Sequence, residues 1–169
     1  RSGTSMMVQL LQAGGIDPVT DGQRAADASN PKGYLEDERV KRLMGAKSKS
    51  WLKNCGGQAI KIVAPMMPHL PGDLQARALF MQRDANEVLQ SQRKMMERNH
   101  RPGTVISNLA LSRVYAEHLR QVNEFMAGRK DIELLPLNYS ALIESPEECI
   151  RQIEAFLKCK LDRPAMIRA

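Results

Sequence analysis

Met6-Met7-Val8 with Leu10-Leu11 forms an apolar stripe at helical spacing, and Gly14-Gly15 supplies a stop suited to a left-handed C-terminal turn. Asp17-Pro18 to Gly33 is polar and turn-rich without a sustained period, so it reads as a loop laid over the site. A helix is predicted from about Leu35 to Met44. The basic stretch Lys47 to Lys53 around Trp51 then leads through Cys55-Gly56-Gly57 to a short strand, Ala59 to Val63, and Pro65, Pro68 and Pro71 predict an extended connector. Leu79-Phe80-Met81 reads as a buried strand, followed by a helix whose Asp84 and Glu87 have capping-box spacing. From Thr104 to about Gly128, Leu111, Val114, Tyr115, His118, Val122 and Phe125 recur at three- and four-residue steps and predict a long amphipathic helix. A strand over Ile132 to Leu137 and a helix over Pro146 to Leu157 continue the alternation. Right-handed crossovers make an α/β fold with a parallel sheet the natural result.

A chain of 169 residues with 43% hydrophobic content suits one domain with a respectable core. The net charge of +6 suits an anionic ligand, and by itself also nucleic acid or a membrane surface. Aromatics at 4% and the lack of a long basic run leave stacking platforms and polybasic anchors poorly represented, so nucleic acid is not an expected partner. Cys55, Cys149 and Cys159 are odd in number and fall in no zinc-ligand spacing, which predicts reduced thiols and no metal. No apolar stretch is long enough to span a bilayer, and a cytoplasmic protein is the expectation.

Chemistry enters at the N-terminus. Arg1-Ser2-Gly3-Thr4-Ser5 is a small-residue loop running into a helix, where unpaired backbone N–H groups and the positive end of the dipole favour an anion. The hydroxyls of Thr4 and Ser5 and the guanidinium of Arg1 add donors. Plain helix capping explains the same residues, so the companion site matters. Arg83 leaves the strand at Leu79-Phe80-Met81, and Ser91 follows eight residues later, two turns into the next helix. Together they suit a second phosphate at a sheet edge, where open α/β folds put their ligands.

The loop Arg1-Ser2-Gly3-Thr4-Ser5 resembles the 5′-phosphosulfate loop of sulfotransferases, and Arg83 with Ser91 resembles that family's 3′-phosphate pair in type and spacing. The resemblance extends over nearly the whole chain through Lys61 and Tyr139, which stand in family order. It implies a P-loop-like three-layer fold, a central parallel sheet flanked by helices, in a single domain over 1–169. The implied donor is 3′-phosphoadenosine-5′-phosphosulfate, with Arg1, Ser2, Gly3, Thr4, Ser5, Arg83 and Ser91 on its phosphates and Tyr139 near its adenine. The acceptor, a hydroxyl or amine, stays unknown, as does the oligomeric state. Such a loop normally follows a central strand, and the family carries a late basic segment; the expectation is that this sequence lacks both its first strand and its C-terminal end.

Departures from the cytosolic branch of the family are informative. A Lys is expected where Arg1 stands, a Trp where Met6 stands and a catalytic His where Val63 stands. Asn30 to Glu38 instead resembles the glycine-aromatic-acid segment of bacterial relatives, which places the base on Glu36, with Asp37 in reserve. In-line sulfuryl transfer builds negative charge on the departing phosphate. Arg1 and the amides of Thr4 and Ser5 are therefore expected to supply a large part of the rate, a base contributes roughly 10²–10⁴-fold, and Lys61, which resembles a family lysine near the transferred group, is a candidate second charge. Each role has a plain rival. Glu36 in a first helical turn is stabilised by the dipole alone, Lys61 on an apolar strand snorkels to solvent, and Tyr139 at a strand end packs. His69 and His118 are lesser base candidates, read first as a loop residue and a core residue. The paired methionines Met6-Met7, Met66-Met67 and Met95-Met96 fit an adaptable apolar pocket or ordinary core filling. Two other classes stay open: a phosphotransferase or NTPase, which lacks the Gly-Lys-Ser/Thr ending and a magnesium carboxylate, and a catalytically silent binding member.

Overall fold

A computed structural model of the chain describes residues 2–27, 30–88, 90–91 and 108–169. Helix α1 (Thr4–Ala13) starts from Gly3, whose φ of 96° places it in the left-handed region, and ends where Gly14 and Gly15 return N–H groups to Leu10 and Gln12. Its buried residues Met7, Val8, Leu10 and Leu11 share one face, as their spacing predicted.

Strand β1 (Ala76–Gln82) pairs in parallel with β2 (Ile132–Asn138), in register from Ala76 opposite Ile132 to Gln82 opposite Asn138. A parallel pair needs a long crossover. Helical residues described over 85–88 and 90–91, here α3, and α4 (Asn108–Ala127) lie in the chain between the two strands. After β2 come α5 (Tyr139–Glu144), α6 (Pro146–Leu157) and α7 (Arg163–Arg168). Helix α6 begins with Pro146, whose fixed φ suits a first turn, and carries Glu147 and Glu148 at the positive end of its dipole. It buries Cys149, Ile150 and Ile153 against α1, α7 and the strands, in a cluster with Leu10, Leu11, Met81, Leu137, Leu142 and Met166. Each such aliphatic side chain stabilises the fold by roughly 1.5–3 kcal/mol. A second cluster joins Val40, Leu43 and Leu52 to Trp51, Ile60, Ile62, Met66 and Leu70.

The result is a mixed helix and strand chain with a parallel sheet, of two strands among the described residues, compatible with the expected α/β class. Because Gln82 and Asn138 are register partners, the residues that follow them, Arg83 and Tyr139, leave the sheet side by side.

Several expectations are corrected. The helix expected from Leu35 to Met44 is only α2 (Glu38–Lys41), because Leu35 has φ 48° and Asp37 is extended, so the chain cannot become helical before Glu38. The strand expected over Ala59 to Val63 is one parallel bridge, Pro18 to Ala59. Pro18 has no N–H to extend a ladder, and residues 60–63 carry no strand pairing. The proline connector includes a 3₁₀ turn, Ala64–His69, whose φ values Pro65 and Pro68 already hold. On the long helix Val114 is 50% exposed, whereas Val122 is fully buried; Val114 lies about 80° around the axis from Val122, at the stripe's edge. Residues 104–107, and Arg93, Lys94, Met95-Met96, Arg98, Arg101 and Pro102-Gly103, lie outside the described residues. Among the described residues no helix is long and apolar enough to cross a membrane.

Candidate active site

The first turn of α1 presents its amides at the end of the parallel pair. Met7 is the first intrahelical donor, to Gly3 O at 3.0 Å, so the N–H groups of Thr4, Ser5 and Met6 precede the ladder, with no side-chain cap from Gly3. Gly3 is pressed into place: a Cβ added there would lie 2.5 Å from Tyr139 Cδ2 and 3.3 Å from Met81 Cε. The loop therefore touches the exits of both strands. Arg1 lies outside the described residues.

Arg83 stands at the same edge. Its guanidinium carbon lies 4.1 Å from the centroid of the Tyr139 ring, and its Nε donates to Glu87 at 2.7 Å. Tyr115 of α4, read from sequence only as part of an apolar stripe, holds the Arg83 backbone: its hydroxyl donates to Arg83 O at 3.0 Å. Asp84 caps α3 by accepting from the amides of Asn86 and Glu87, while Glu87 turns to Arg83 and does not close the capping box. Ser91 is helical, in α3 as expected. One face of the Tyr139 ring lies under the Arg83 guanidinium.

Lys61 and Glu36 carry the centre of the site. Lys61 does not snorkel; it is 9% exposed, and Nζ fills its three donor positions with Ser5 Oγ at 2.9 Å, Tyr34 O at 3.0 Å and Glu36 Oε1 at 2.7 Å. One buried cation thus joins the expected phosphate loop to the expected base. The left-handed Leu35 turns the chain so that both the Tyr34 carbonyl and the Glu36 carboxylate meet that ammonium. Glu36 precedes Asp37, the cap of α2, so it is not in a first helical turn and the dipole does not explain its position.

Electrostatics at Glu36 run in opposite directions. Burial raises its carboxyl, but hydrogen bonds from Lys61 and Arg24 and their charges win and hold it below its ordinary value. Ionised Glu36 therefore adds stability above about pH 4.5, lost as pH falls through its lower folded value. For Lys61, burial is the larger influence and pulls the ammonium below its ordinary value, with Glu36 offsetting only part. The pair orients both groups.

Asp37 is committed elsewhere, accepting from the Arg39 amide and from its Nε at 2.9 Å each, and from Nη2 at 2.7 Å. His69 sits in the 3₁₀ turn, where its carbonyl accepts from Lys49 Nζ, and His118 is half-buried on α4. Arg24, in the unperiodic loop, is the site residue that sequence reasoning missed. Its Nη1 reaches both Glu36 oxygens, at 3.1 and 3.0 Å. Lys41 adds a third cation 3.6 Å from Oε2. Two surface grooves flank α2: one of about 410 Å³ lined by Thr20, Asp21, Glu38 and Arg42 among others, one of about 610 Å³ that includes Lys41, Met44 and Trp51. Neither is lined by the phosphate loop itself. Lys41, which lines the larger, connects it to Glu36. Among the described residues no group of three or more His, Cys, Asp or Glu is placed to hold a metal ion.

No curated protein and no solved structure shows a significant match to the chain. The sequence model of the sulfotransferase domain matches residues 1–168, a span that takes in the loop before α1, Glu36, Lys61, Arg83 and Tyr139. The chain belongs to the sulfotransferase domain family.

Proposed function

We propose that the protein moves a sulfuryl group from 3′-phosphoadenosine-5′-phosphosulfate to a hydroxyl or amine, within the P-loop-like three-layer arrangement its sequence implies. The observation that carries this reading is Lys61, whose ammonium bonds at once to Ser5 of the phosphate loop and to Glu36. A cation for the departing phosphate and an acceptor for a proton are thus held by one side chain. The amides of Thr4, Ser5 and Met6, with Arg1, Ser2 and Gly3, suit the 5′ end of the donor. Arg83 and Ser91 suit its 3′-phosphate, with Tyr139 serving as the platform beneath Arg83.

In the transfer, the acceptor's oxygen or nitrogen forms a new bond to sulfur as the bond from sulfur to the phosphate oxygen breaks. The electron pair stays on that phosphate oxygen, and the acceptor's proton passes to Glu36. A carboxylate held below its ordinary range is ionised and ready but weakly basic, so electrostatic support of the leaving phosphate by Lys61 and the loop supplies most of the rate.

The roles separate experimentally, by following label from a ³⁵S donor into a panel of alcohol and amine acceptors alongside calorimetric titration with 3′,5′-adenosine bisphosphate. Arg83→Ala is expected to weaken bisphosphate binding by about 10–100-fold, the worth of a charge-assisted hydrogen bond. Glu36→Gln leaves that binding within about twofold and lowers turnover by roughly 10²–10⁴-fold. Equal loss of binding in both variants contradicts the division of roles.

A further inference from the structure

We propose that Arg24 is a positioning residue for this site, holding the Glu36 carboxylate in the orientation in which it faces Lys61 and the phosphate loop. The inference rests on the reading of Glu36 as the acceptor's base. It adds a residue from a loop with no recognisable motif.

The two oxygens of Glu36 are held unequally. Oε1 accepts from Lys61 at 2.7 Å and from Arg24 at 3.1 Å; Oε2 accepts from Arg24 at 3.0 Å and has Lys41 at 3.6 Å. Arg24 alone is within hydrogen-bond distance of both, so it fixes rotation of the carboxylate, which Lys61 by itself leaves free about one bond. Ordinary surface ion pairs do little because both side chains are mobile. This one differs, because the Glu36 side chain is only 15% exposed and the Arg24 side chain, 42% exposed, rests on a buried ring. The Arg24 guanidinium carbon lies 3.4 Å from the centroid of the Tyr34 ring, and Tyr34 is buried and donates its hydroxyl to Asp27 at 2.7 Å.

The loop that carries Arg24 is pinned to the same segment by its backbone. Thr20 Oγ1 and the Asp21 amide both donate to Glu36 O, at 3.0 and 3.2 Å, and Asp21 Oδ2 accepts from the Glu38 amide at 2.7 Å. Loop, ring and carboxylate form one unit, in which the planar guanidinium of Arg24 stacks on Tyr34 while its Nη1 alone reaches both carboxylate oxygens, an arrangement the point charge of a Lys does not reproduce. The charged groups facing Glu36 are Arg24 from the loop, Lys41 from α2 and Lys61 from the segment after Ala59. Removing Arg24 leaves two cations and makes ionisation of Glu36 less favourable, so its titration moves to higher pH.

The test compares the protein with Arg24→Ala and Arg24→Lys by three readouts: the pH profile of kcat/KM for sulfuryl transfer, bisphosphate affinity, and a ¹³C NMR titration of the Glu36 carboxyl without substrate. Arg24→Ala is expected to raise both the acid limb of the profile and the Glu36 midpoint, and to lower kcat by about tenfold or more while bisphosphate affinity stays within twofold. Arg24→Lys is expected to restore much of the midpoint and little of kcat. An unmoved midpoint and limb, full recovery of kcat by Lys, or a matching loss of bisphosphate affinity each overturns the proposal. A protein that transfers no sulfuryl group to any acceptor tells against the functional reading, while the NMR midpoint still decides whether Arg24 holds Glu36.

Discussion

Lys61→Met is expected to lower turnover by about 10²–10³-fold, the usual cost of deleting one preorganised donor to developing negative charge. Met keeps the length and most of the volume of the lysine stem, so the space around residue 61 stays filled while Ser5 Oγ and Glu36 Oε1 lose their shared ammonium. Stability is the informative contrast. Breaking a buried ion pair is usually severe because the remaining charge is stranded, but Glu36 keeps Arg24 at 3.0 Å and Lys41 at 3.6 Å. Burial also weighs against the Lys61 ammonium more than its partners help it. Thermal or urea unfolding should therefore show a change within about 1 kcal/mol, as for well-packed replacements of buried charge. A large loss of stability with proportionate loss of activity marks Lys61 as a structural group. A collapse of turnover at nearly unchanged stability marks it as the cation of the transfer.

Gly3→Ala is expected to damage both fold and binding. A Cβ at φ 96° costs about 1–2 kcal/mol in backbone strain alone. It also arrives 2.5 Å from Tyr139 Cδ2 and 3.1 Å from Cε2, and overpacking of this kind costs typically about 1–3 kcal/mol. Relief comes only by moving the first turn of α1 away from the strand exits or by displacing the Tyr139 ring, which carries Arg83. Either movement separates the amides of Thr4 and Ser5 from Arg83, so bisphosphate affinity should fall by more than tenfold in calorimetry. Tyr139→Leu opens space beside residue 3; in the double variant part of the lost stability should return. Absence of any recovery means that strain at Gly3, and not the ring contact, dominates.

The parts of the molecule legible in the sequence are those whose cause is local. Helix α1 follows from a small-residue entry, a stripe of Met7, Val8, Leu10 and Leu11, and a Gly14-Gly15 exit. Helix α6 follows equally from Pro146, two acids and buried Ile150 and Ile153, and the strands from short apolar runs. The segment from Leu35 misleads because its composition is helical while the left-handed backbone at Leu35 is imposed by contacts of Tyr34 and Glu36 with a distant lysine. Ala59 to Val63 has strand-like residues, but Pro18 cannot continue the pairing, and strand character needs a partner.

At the site, Ser5, Glu36 and Lys61 were each nameable from motifs, yet only the fold shows that one ammonium touches both of the others. Arg24 was not legible because it reaches Glu36 across twelve residues of loop that have no period to read. The one signal was a lone Arg in a polar stretch shortly before a Gly, Tyr and Glu. Tyr115 was legible as an apolar helix position, but its hydroxyl contact with the Arg83 backbone depends on where the chain leaving β1 meets α4.

If the α1 loop and Arg83 serve one bisphosphorylated nucleotide, as proposed, each of its two phosphates contributes to affinity. Calorimetry with 3′,5′-adenosine bisphosphate beside ATP and 5′-AMP tests it most directly. Clear preference for the bisphosphate is expected, with 5′-AMP weaker by about 10-fold or more for want of the charge-assisted contact at Arg83. Preference for ATP, or equal affinity for 5′-AMP and the bisphosphate, contradicts it.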